Sequence, residues 1–161
     1  MKDIMTYDEA HYFSNSENEI NLGGVITELS ESTNPIESEK HYIHQKSATT
    51  NVTGYSNEFP ITMDMVKGDA VFDDFYSIFY ERKTGSDIKR DHYIVNLWEQ
   101  VEESGTPVAN TYNARKITQS VEIEEATGEA GGQKTMSGSL KGGDFVYGTF
   151  NTSTKTFTPT V

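Results

Sequence analysis

The chain of 161 residues contains no cysteine, and this absence excludes several classes of site. Without thiols it can have no disulfide scaffold, no thiolate zinc site and no cysteine nucleophile. It also lacks any apolar run approaching the ~20 residues of a membrane-spanning helix. The amino-terminal residues contain no apolar segment typical of a signal peptide, so we expect a protein that is made and used without export. The length fits one domain with a core of its own.

Basic residues are scarce, since 13 Lys and Arg stand against 25 Asp and Glu and give a net charge of −12. A nucleic-acid interface needs a basic face that neutralises phosphate, and an anionic membrane surface attracts basic segments in the same way. The balance therefore argues against both kinds of partner. It agrees with a surface that repels phosphate.

No group of residues has the spacing of a catalytic or metal centre. His41 and His44 are three apart, which would place them on opposite faces of a strand, and no third ligand lies nearby in the sequence. His11 and His92 are isolated, and we expect them at the surface or satisfied in the core. The acidic pairs have no neighbouring base, and the glycine-rich runs lack the spacing of a phosphate-binding loop. The sequence therefore predicts no catalytic residue, no metal and no cofactor.

Residues 1–40 are acidic and polar, and only "GGVITEL" could form a short buried segment. We interpret them as an arm ordered by contacts elsewhere, with a disordered tail as the alternative. Two strand signals, rich in β-branched and aromatic residues, then flank a polar tip. They comprise Tyr42, Ile43, Val52, Tyr55, Phe59 and Ile61. Pro60 indicates a bulge or an edge strand.

One helix is predicted at about residues 69–83, within "GDAVFDDFYSIFYERKTGSD". Asp69 is a good N-cap, and Gly85 is placed to end the helix in the left-handed conformation. Arg82 and Lys83 would lie in the last turn, where positive charge suits the helix dipole. An apolar stripe with helical spacing forms the predicted core face: Val71, Phe72, Phe75, Ile78 and Phe79.

The sequence after the helix predicts strands only. Residues 92–101 form one strand, "VEESGTP" is a turn, and a long strand from Asn110 is followed by a glycine-rich turn at Gly128–Gly132 and a return strand. A last pair of strands flanks "NTST" and runs to Val161. Apolar and polar residues alternate along Lys116–Glu125, which is typical of an antiparallel sheet with one face on a core and the other in water.

Four stretches together resemble the major tail tube proteins of long, non-contractile phage tails and their prophage relatives. The segment "YIHQKSATTNVTGYSNEF" is similar to the early hairpin of that family, and "KGDAVFDDFYSIFYERKTGSD" is similar to its single helix. The segment "NTYNARKITQSVEIEE" resembles its long strand, and "MSGSLKGGDFVYGTFNTSTKTFT" resembles its closing strands. Because the first twenty residues fall outside this similarity, we divide the chain into an N-terminal extension, 1–20, and a single tail tube domain, 21–161.

The resemblance implies a mainly β fold, a β-sandwich or barrel-like core of antiparallel sheets with one flanking α-helix, an extended loop and an N-terminal arm. It implies a structural subunit and not an enzyme. Such subunits form hexameric rings that stack into a hollow conduit for genome passage during ejection. The implied partners are further copies of the chain, a tape-measure protein, a tail terminator and tail-tip or baseplate proteins, with transient, non-specific passage of DNA and no membrane. The implied location is the virion tail, assembled in the cytoplasm of the host bacterium.

Two candidate assembly surfaces follow from the resemblance. Because a DNA conduit should repel phosphate, we expect the wet face of the long strand to line the lumen, with an outer solvated face as the alternative. The lumen candidates are Thr118, Ser120, Glu122 and Glu124. The early loop is expected to contact the next ring, with a mobile hairpin tip as the alternative, and its candidates are Ser47, Thr49, Thr50, Asn51 and Thr53. The closing aromatic residues are expected to anchor the sheet to the helix stripe or to a neighbouring subunit; they are Phe145, Tyr147, Phe150 and Phe157.

Two alternative functions remain open. One is a tube subunit of a tail-derived bacteriocin or a type VI-like device, which shares the resemblance. The other is an extracellular all-β carbohydrate-binding or adhesin module, although the missing signal peptide counts against it. Rings or tubes formed by the purified chain would favour a tube subunit, and monomers with affinity for glycans would favour the module.

Overall fold

Eleven strands and one α-helix follow one another along residues 1–160, the part of the chain that the computed structural model describes. Val161, the predicted end of the last strand, lies outside the described residues. In chain order the elements are β1 (Glu9–Ser14), β2 (Ile20–Leu22), β3 (Ile26–Leu29), β4 (Pro35–Lys40), β5 (Thr49–Tyr55), β6 (Glu58–Asp64), α1 (Ala70–Tyr80), β7 (Lys89–Glu103), β8 (Thr106–Thr127), β9 (Thr135–Lys141), β10 (Val146–Asn151) and β11 (Thr156–Pro159). The chain is therefore mainly β with one helix, which is the fold class expected from the sequence.

Nine strands form one antiparallel sheet in the spatial order β2-β1-β7-β8-β9-β6-β3, with β10 and β11 branching from β8. The branch arises because β8 has 22 residues and is longer than any single partner can cover. One edge of β8 pairs with β7, while the other pairs with β10 over 111–116 and with β9 over 120–127. A straight strand of this length would span about 70 Å, but register shifts between Val95 and Gln100 and between Ile123 and Glu125 interrupt its pairing. Such bulges bend a strand and help a sheet to curl.

The face of the sheet that carries α1 holds the larger apolar cluster. The helix packs its stripe against side chains from β1, β6, β7, β8 and β9, and Phe13 meets Phe75 edge-on with ring centroids 5.3 Å apart. Of the predicted stripe, Val71, Phe72, Phe75 and Ile78 are buried and Phe79 is half-buried. The remaining buried members of this cluster are Phe59, Ile61, Met63, Ile94, Val121, Met136 and Leu140.

A second apolar cluster lies on the opposite face of β1 and β7, because neighbouring residues of a strand point to opposite sides. It consists of Tyr12, Tyr93, Val95, Ala114 and Phe150, with Phe157 packed beside them. The ring of Phe150 lies 4.6 Å from that of Tyr12. Phe150 and Phe157 therefore anchor the last two strands to this face and not to the helix stripe, contrary to the expectation from the sequence. Phe145 packs against the helix-side cluster, and Tyr147 is exposed.

The start of the helix agrees with the prediction, and its end does not. The side chain of Asp69 accepts a hydrogen bond from the backbone N–H of Phe72 at 3.0 Å, as an N-cap should. The helix ends at Tyr80, and Arg82, with a φ of 53°, takes the left-handed position that was expected for Gly85. In this position the guanidinium of Arg82 donates to the carbonyl of Phe79 at 3.2 Å, in addition to the hydrogen bond from its own backbone N–H to the same carbonyl.

The first strand, β1, lies within residues 1–20, the segment that the sequence set apart as an N-terminal extension. β1 pairs with β7 along its length, from Glu9 opposite Asn96 to Phe13 opposite His92. Phe13 is only 2% exposed, so the core depends on this segment. Residues 9–14 are therefore part of the sheet. The stretch 1–40, expected as an arm or a disordered tail, supplies four strands, β1 to β4.

A buried ion pair fixes the helix to the sheet. Arg90 of β7 binds the carboxylate of Asp74 on α1 through two nitrogens, at 2.7 Å and 3.1 Å. The Arg90 side chain also donates to the carbonyls of Asp87 and Lys89. This two-point geometry holds α1 at a defined angle over the sheet.

Candidate assembly surfaces

Strands β4 and β5 form a two-stranded hairpin that is separate from the main sheet. The pairing runs from Pro35 opposite Tyr55 to Lys40 opposite Thr49, and the tip spans residues 41–48. The five loop candidates, Ser47, Thr49, Thr50, Asn51 and Thr53, are all exposed on this hairpin. An isolated two-stranded hairpin is marginally stable in water, so this segment would gain stability from contact with a partner.

The hairpin also exposes apolar side chains. Ile36, Val52 and Tyr55 on its strands are each more than half exposed, and Ile43 at the tip is fully exposed. Such a group of unpaired apolar side chains is typical of a contact surface. The strand predicted at Tyr42 and Ile43 was wrong, because these residues have no partner strand and form the tip. The strand that pairs with β5 in this hairpin is β4. It was not predicted from the sequence because it is polar and begins with a proline.

Three of the four lumen candidates, Thr118, Ser120 and Glu122, lie on the face of β8 that points away from α1. Thr118 and Glu122 are exposed and Ser120 is half-buried, whereas the alternate residues Ile117, Gln119 and Val121 are buried. The alternation predicted from the sequence is therefore present over this stretch. The fourth candidate, Glu124, is exposed but lies at the register shift beside Ile123, where alternation no longer fixes its face. A lumen position for the four residues stays a prediction.

Polar contacts link these candidates to neighbouring strands. The hydroxyl of Thr118 donates to the carboxylate of Asp91 at 2.6 Å, and Lys141 lies 3.1 Å from Glu122. The hydrogen bond to Glu122 raises the pKa of Lys141 above its usual value. Lys116 lies 3.6 Å from Asp91. Two lysines of this face are thus each engaged by a carboxylate, which reduces the attraction that the face could offer to phosphate.

A chain of hydrogen bonds runs from the surface into the core and was not predicted. His11 Nε2 lies 2.9 Å from Glu9 Oε1, His11 Nδ1 lies 2.9 Å from His92 Nε2, and His92 Nδ1 lies 3.0 Å from Gln119 Oε1. The expectation of a histidine satisfied in the core holds for His92, whose ring stacks on Phe13 at 4.5 Å. Burial lowers the pKa of His92 to about 3, so this imidazole is neutral. No local sequence signal could find the pair, because His11 and His92 are 81 residues apart.

The other two histidines, His41 and His44, lie in the tip of the β4–β5 hairpin. His41 Nε2 lies 2.7 Å from the carbonyl of Gln45 and closes the turn at the hairpin tip. Within residues 1–160, no three His, Asp or Glu side chains lie close enough together to hold a metal ion. No helix in the same part of the chain is long and apolar enough to cross a membrane.

The fold matches solved structures of phage tail components. A chain of the SPP1 tail tube aligns with 90% of this chain and 78% of its own length, at 14% identity and a TM-score of 0.67. A chain of the six-fold symmetrised baseplate of the anti-feeding prophage aligns with 91% of this chain and 96% of its own length, at 8% identity and a TM-score of 0.53. No protein-family model and no curated protein sequence matches the chain. At these identities the similarity shows a shared fold, and the chain has the fold of a phage tail tube protein.

Proposed function

We propose that this chain is a structural, non-enzymatic subunit of a phage tail tube. The observation that carries the proposal is the tail tube fold, shared with the SPP1 chain over 90% of the residues. In this proposal six copies form a ring, and rings stack into a hollow conduit through which the genome passes during ejection. The assembled protein resides in the virion tail and is built in the host cytoplasm.

The β4–β5 hairpin is the proposed contact between rings. It stands apart from the main sheet, and its exposed apolar side chains at Ile36, Ile43 and Val52 lack a partner within the described residues. A neighbouring copy would cover these side chains and supply the burial that a free hairpin lacks. The exposed polar residues at positions 47–53 would then form the rim of the contact.

The polar face of β8 is the proposed lumen wall. Thr118, Ser120 and Glu122 present hydroxyl and carboxylate groups on the face away from α1. The net charge of −12 over the chain is consistent with a conduit that repels the DNA backbone. The proposed further partners are a tape-measure protein inside the tube, a terminator at one end and tail-tip or baseplate proteins at the other.

A second candidate is the tube of a tail-derived bacteriocin or a type VI-like device. The similarity to the baseplate chain of the anti-feeding prophage favours it, because that alignment covers 96% of that chain. Both candidates share ring stacking and differ in whether a genome passes through the tube. An extracellular carbohydrate-binding module has no comparable observation in its favour.

Negative-stain electron microscopy of the purified chain, concentrated at several salt levels, tests the shared assembly. We expect rings or hollow tubes of uniform width. The variant Val52→Lys should abolish stacking, because it places a charge in the apolar patch of the hairpin. Its matched control is Tyr80→Lys, which charges an exposed aromatic residue on α1 instead and should still form tubes.

The two outcomes that contradict the proposal are distinct. Normal tubes from Val52→Lys with an unchanged circular dichroism spectrum would refute the role of the hairpin but keep the tube subunit. Monomers under all conditions, together with measurable binding to a glycan array, would refute the tube and favour the extracellular module.

A further inference from the structure

The hydrogen-bond chain from Glu9 to Gln119 needs one proton more than a carboxylate and two neutral imidazoles carry. Its two ends are acceptors, the carboxylate oxygen of Glu9 and the amide oxygen of Gln119. Three links therefore need three hydrogens, whereas two neutral imidazoles supply one each. Because His92 is fully buried and its pKa is lowered to about 3, the third proton belongs to the pair formed by Glu9 and His11.

The inner end of the hydrogen-bond chain contains a donor without an acceptor among residues 1–160, the amide nitrogen of Gln119. The Gln119 side chain is 1% exposed, and its amide nitrogen has no hydrogen-bond partner within the described residues. A buried N–H group without a partner is costly. The oxygen and nitrogen of an amide occupy nearly the same volume, so rotation of the amide would place this nitrogen against His92 Nδ1.

That rotation reverses the donor and acceptor roles in the hydrogen-bond chain without losing any of its three hydrogen bonds. The Gln119 amide would donate to His92 Nδ1, His92 Nε2–H would donate to His11 Nδ1, and His11 Nε2–H would donate to Glu9. Three hydrogens again fill three links, but now one comes from the amide and no extra proton is needed. The same four side chains thus have two complete arrangements that differ by one bound proton.

We propose that Glu9, His11, His92 and Gln119 form a two-state proton relay, in which a proton bound at the Glu9–His11 end turns the Gln119 amide and moves the His92 proton from Nε2 to Nδ1. The relay crosses three neighbouring strands of the sheet, β1, β7 and β8. Its outer end reaches solvent, because Glu9 and His11 line a groove of about 740 Å³ beside Leu22 and Leu97. Solvent pH is thereby coupled to the orientation of the buried Gln119 amide at the inner end of the relay.

Charged groups around the relay are already paired with one another. Arg115 on β8 binds Glu31 at 2.8 Å, and Arg90 on β7 binds Asp74 at 2.7 Å. Arg115 is nevertheless close enough for its charge to help lower the pKa of Glu9. The other titratable groups that line the groove are Glu28 from β3, Tyr7, Tyr12 and Tyr112.

Nuclear magnetic resonance of the full chain, labelled with ¹⁵N in histidine and glutamine, tests the relay between pH 5 and pH 8. Solution spectra serve for the monomer and solid-state spectra for an assembled form. We expect His92 to remain neutral throughout while its protonated nitrogen changes from Nδ1 at low pH to Nε2 at high pH. The Gln119 side-chain amide should shift over the same pH range. His41 and His44, in the hairpin tip, provide reference histidines in the same spectra.

The relay is refuted if His92 keeps the same protonated nitrogen from pH 5 to pH 8. A variant adds a second measurement. Gln119→Met removes both the acceptor and the donor, so each arrangement loses its link at His92 Nδ1. Only the proton-bound arrangement is left with a buried N–H that has no acceptor, which is the rarer and costlier defect, so the midpoint of the change at His92 should move to lower pH. The control Gln100→Met changes an exposed glutamine of β7 and should leave the midpoint unchanged. An unshifted midpoint in a folded Gln119→Met protein would also overturn the relay, and if that variant does not fold, the wild-type spectra decide alone.

Discussion

Mild acid should destabilise the folded protein through His92. This imidazole is 1% exposed and packed between Phe13 and Phe59. Burial lowers its pKa from 6.5 to about 3, because the charged form would lose its hydration. The unfolded chain therefore binds a proton at a higher pH than the folded chain does. By linkage, the free energy of unfolding falls as the pH drops from about 6.5 towards 3.

The size of the effect follows from the two pKa values. Over the window in which only the unfolded state is protonated, each pH unit costs about 1.4 kcal/mol. Between pH 7.5 and pH 5 the loss amounts to about 2 kcal/mol, most of it below pH 6.5. Glu9 adds to the acid sensitivity in a lower window, since its hydrogen bond to His11 lowers its pKa. Its contribution to stability is present above its unfolded pKa and is lost as the pH falls through its lowered folded pKa.

Urea unfolding at pH 7.5, 6.5, 5.5 and 5, followed by circular dichroism, measures this slope. We expect His92→Gln to be less stable than the wild type at pH 7.5 but to lose less of its stability on acidification. The matched control is His44→Gln, because His44 is exposed in the hairpin tip and its surroundings change little on unfolding. Parallel pH profiles for the wild type and His92→Gln would show that the buried imidazole does not set the acid sensitivity.

Three further predictions concern a buried ion pair, a close backbone approach and the polar face of β8. Asp74→Ala leaves its buried arginine partner on β7 uncompensated and should cost about 3 kcal/mol in urea unfolding, whereas a loss below 1 kcal/mol would contradict a role in holding α1. Gly138→Ala would place a Cβ 2.7 Å from a backbone carbon of β8 and should cost about 1–3 kcal/mol, while Gly24→Ala, which meets nothing within 4 Å, should cost less. Because the chain has no cysteine, Thr118→Cys and Tyr80→Cys can be labelled singly in assembled tubes. A bulky maleimide should modify the latter alone, and equal labelling would refute the lumen position.

Local patterns in the sequence were sufficient for the helix and the long strand. Asp69 and the apolar stripe of α1 lie within a few residues of one another, so they predict a helix whatever the rest of the fold is. The same holds for the alternation along β8 at residues 117–122. The end of the helix was misplaced because Arg82 adopts a left-handed conformation. Glycine would have been the ordinary choice at such a position.

Features that depend on distant residues could not be read from the sequence. β1 is short and partly polar, and it is recognisable as a strand only beside β7, which begins 80 residues further along the chain. The ion pair of Asp74 with Arg90 and the contact of His11 with His92 likewise form only when the sheet is assembled. Tyr42 and Ile43 show the opposite case. Their side chains favour a strand, but no neighbouring backbone pairs with them, and tertiary context overrides the propensity.

Stability and assembly depend on different residues of this protein. The central strands β7 and β8 have an apolar cluster on each face near β1, so the sheet can be stable without a second copy. The β4–β5 hairpin contributes no residue to the buried set of either cluster. A charge placed on the hairpin should therefore change assembly with little effect on urea unfolding, whereas Asp74→Ala should lower stability while leaving the hairpin surface intact. If the two kinds of variant instead changed both properties together, the hairpin would have to be coupled to the core through contacts that a single copy lacks.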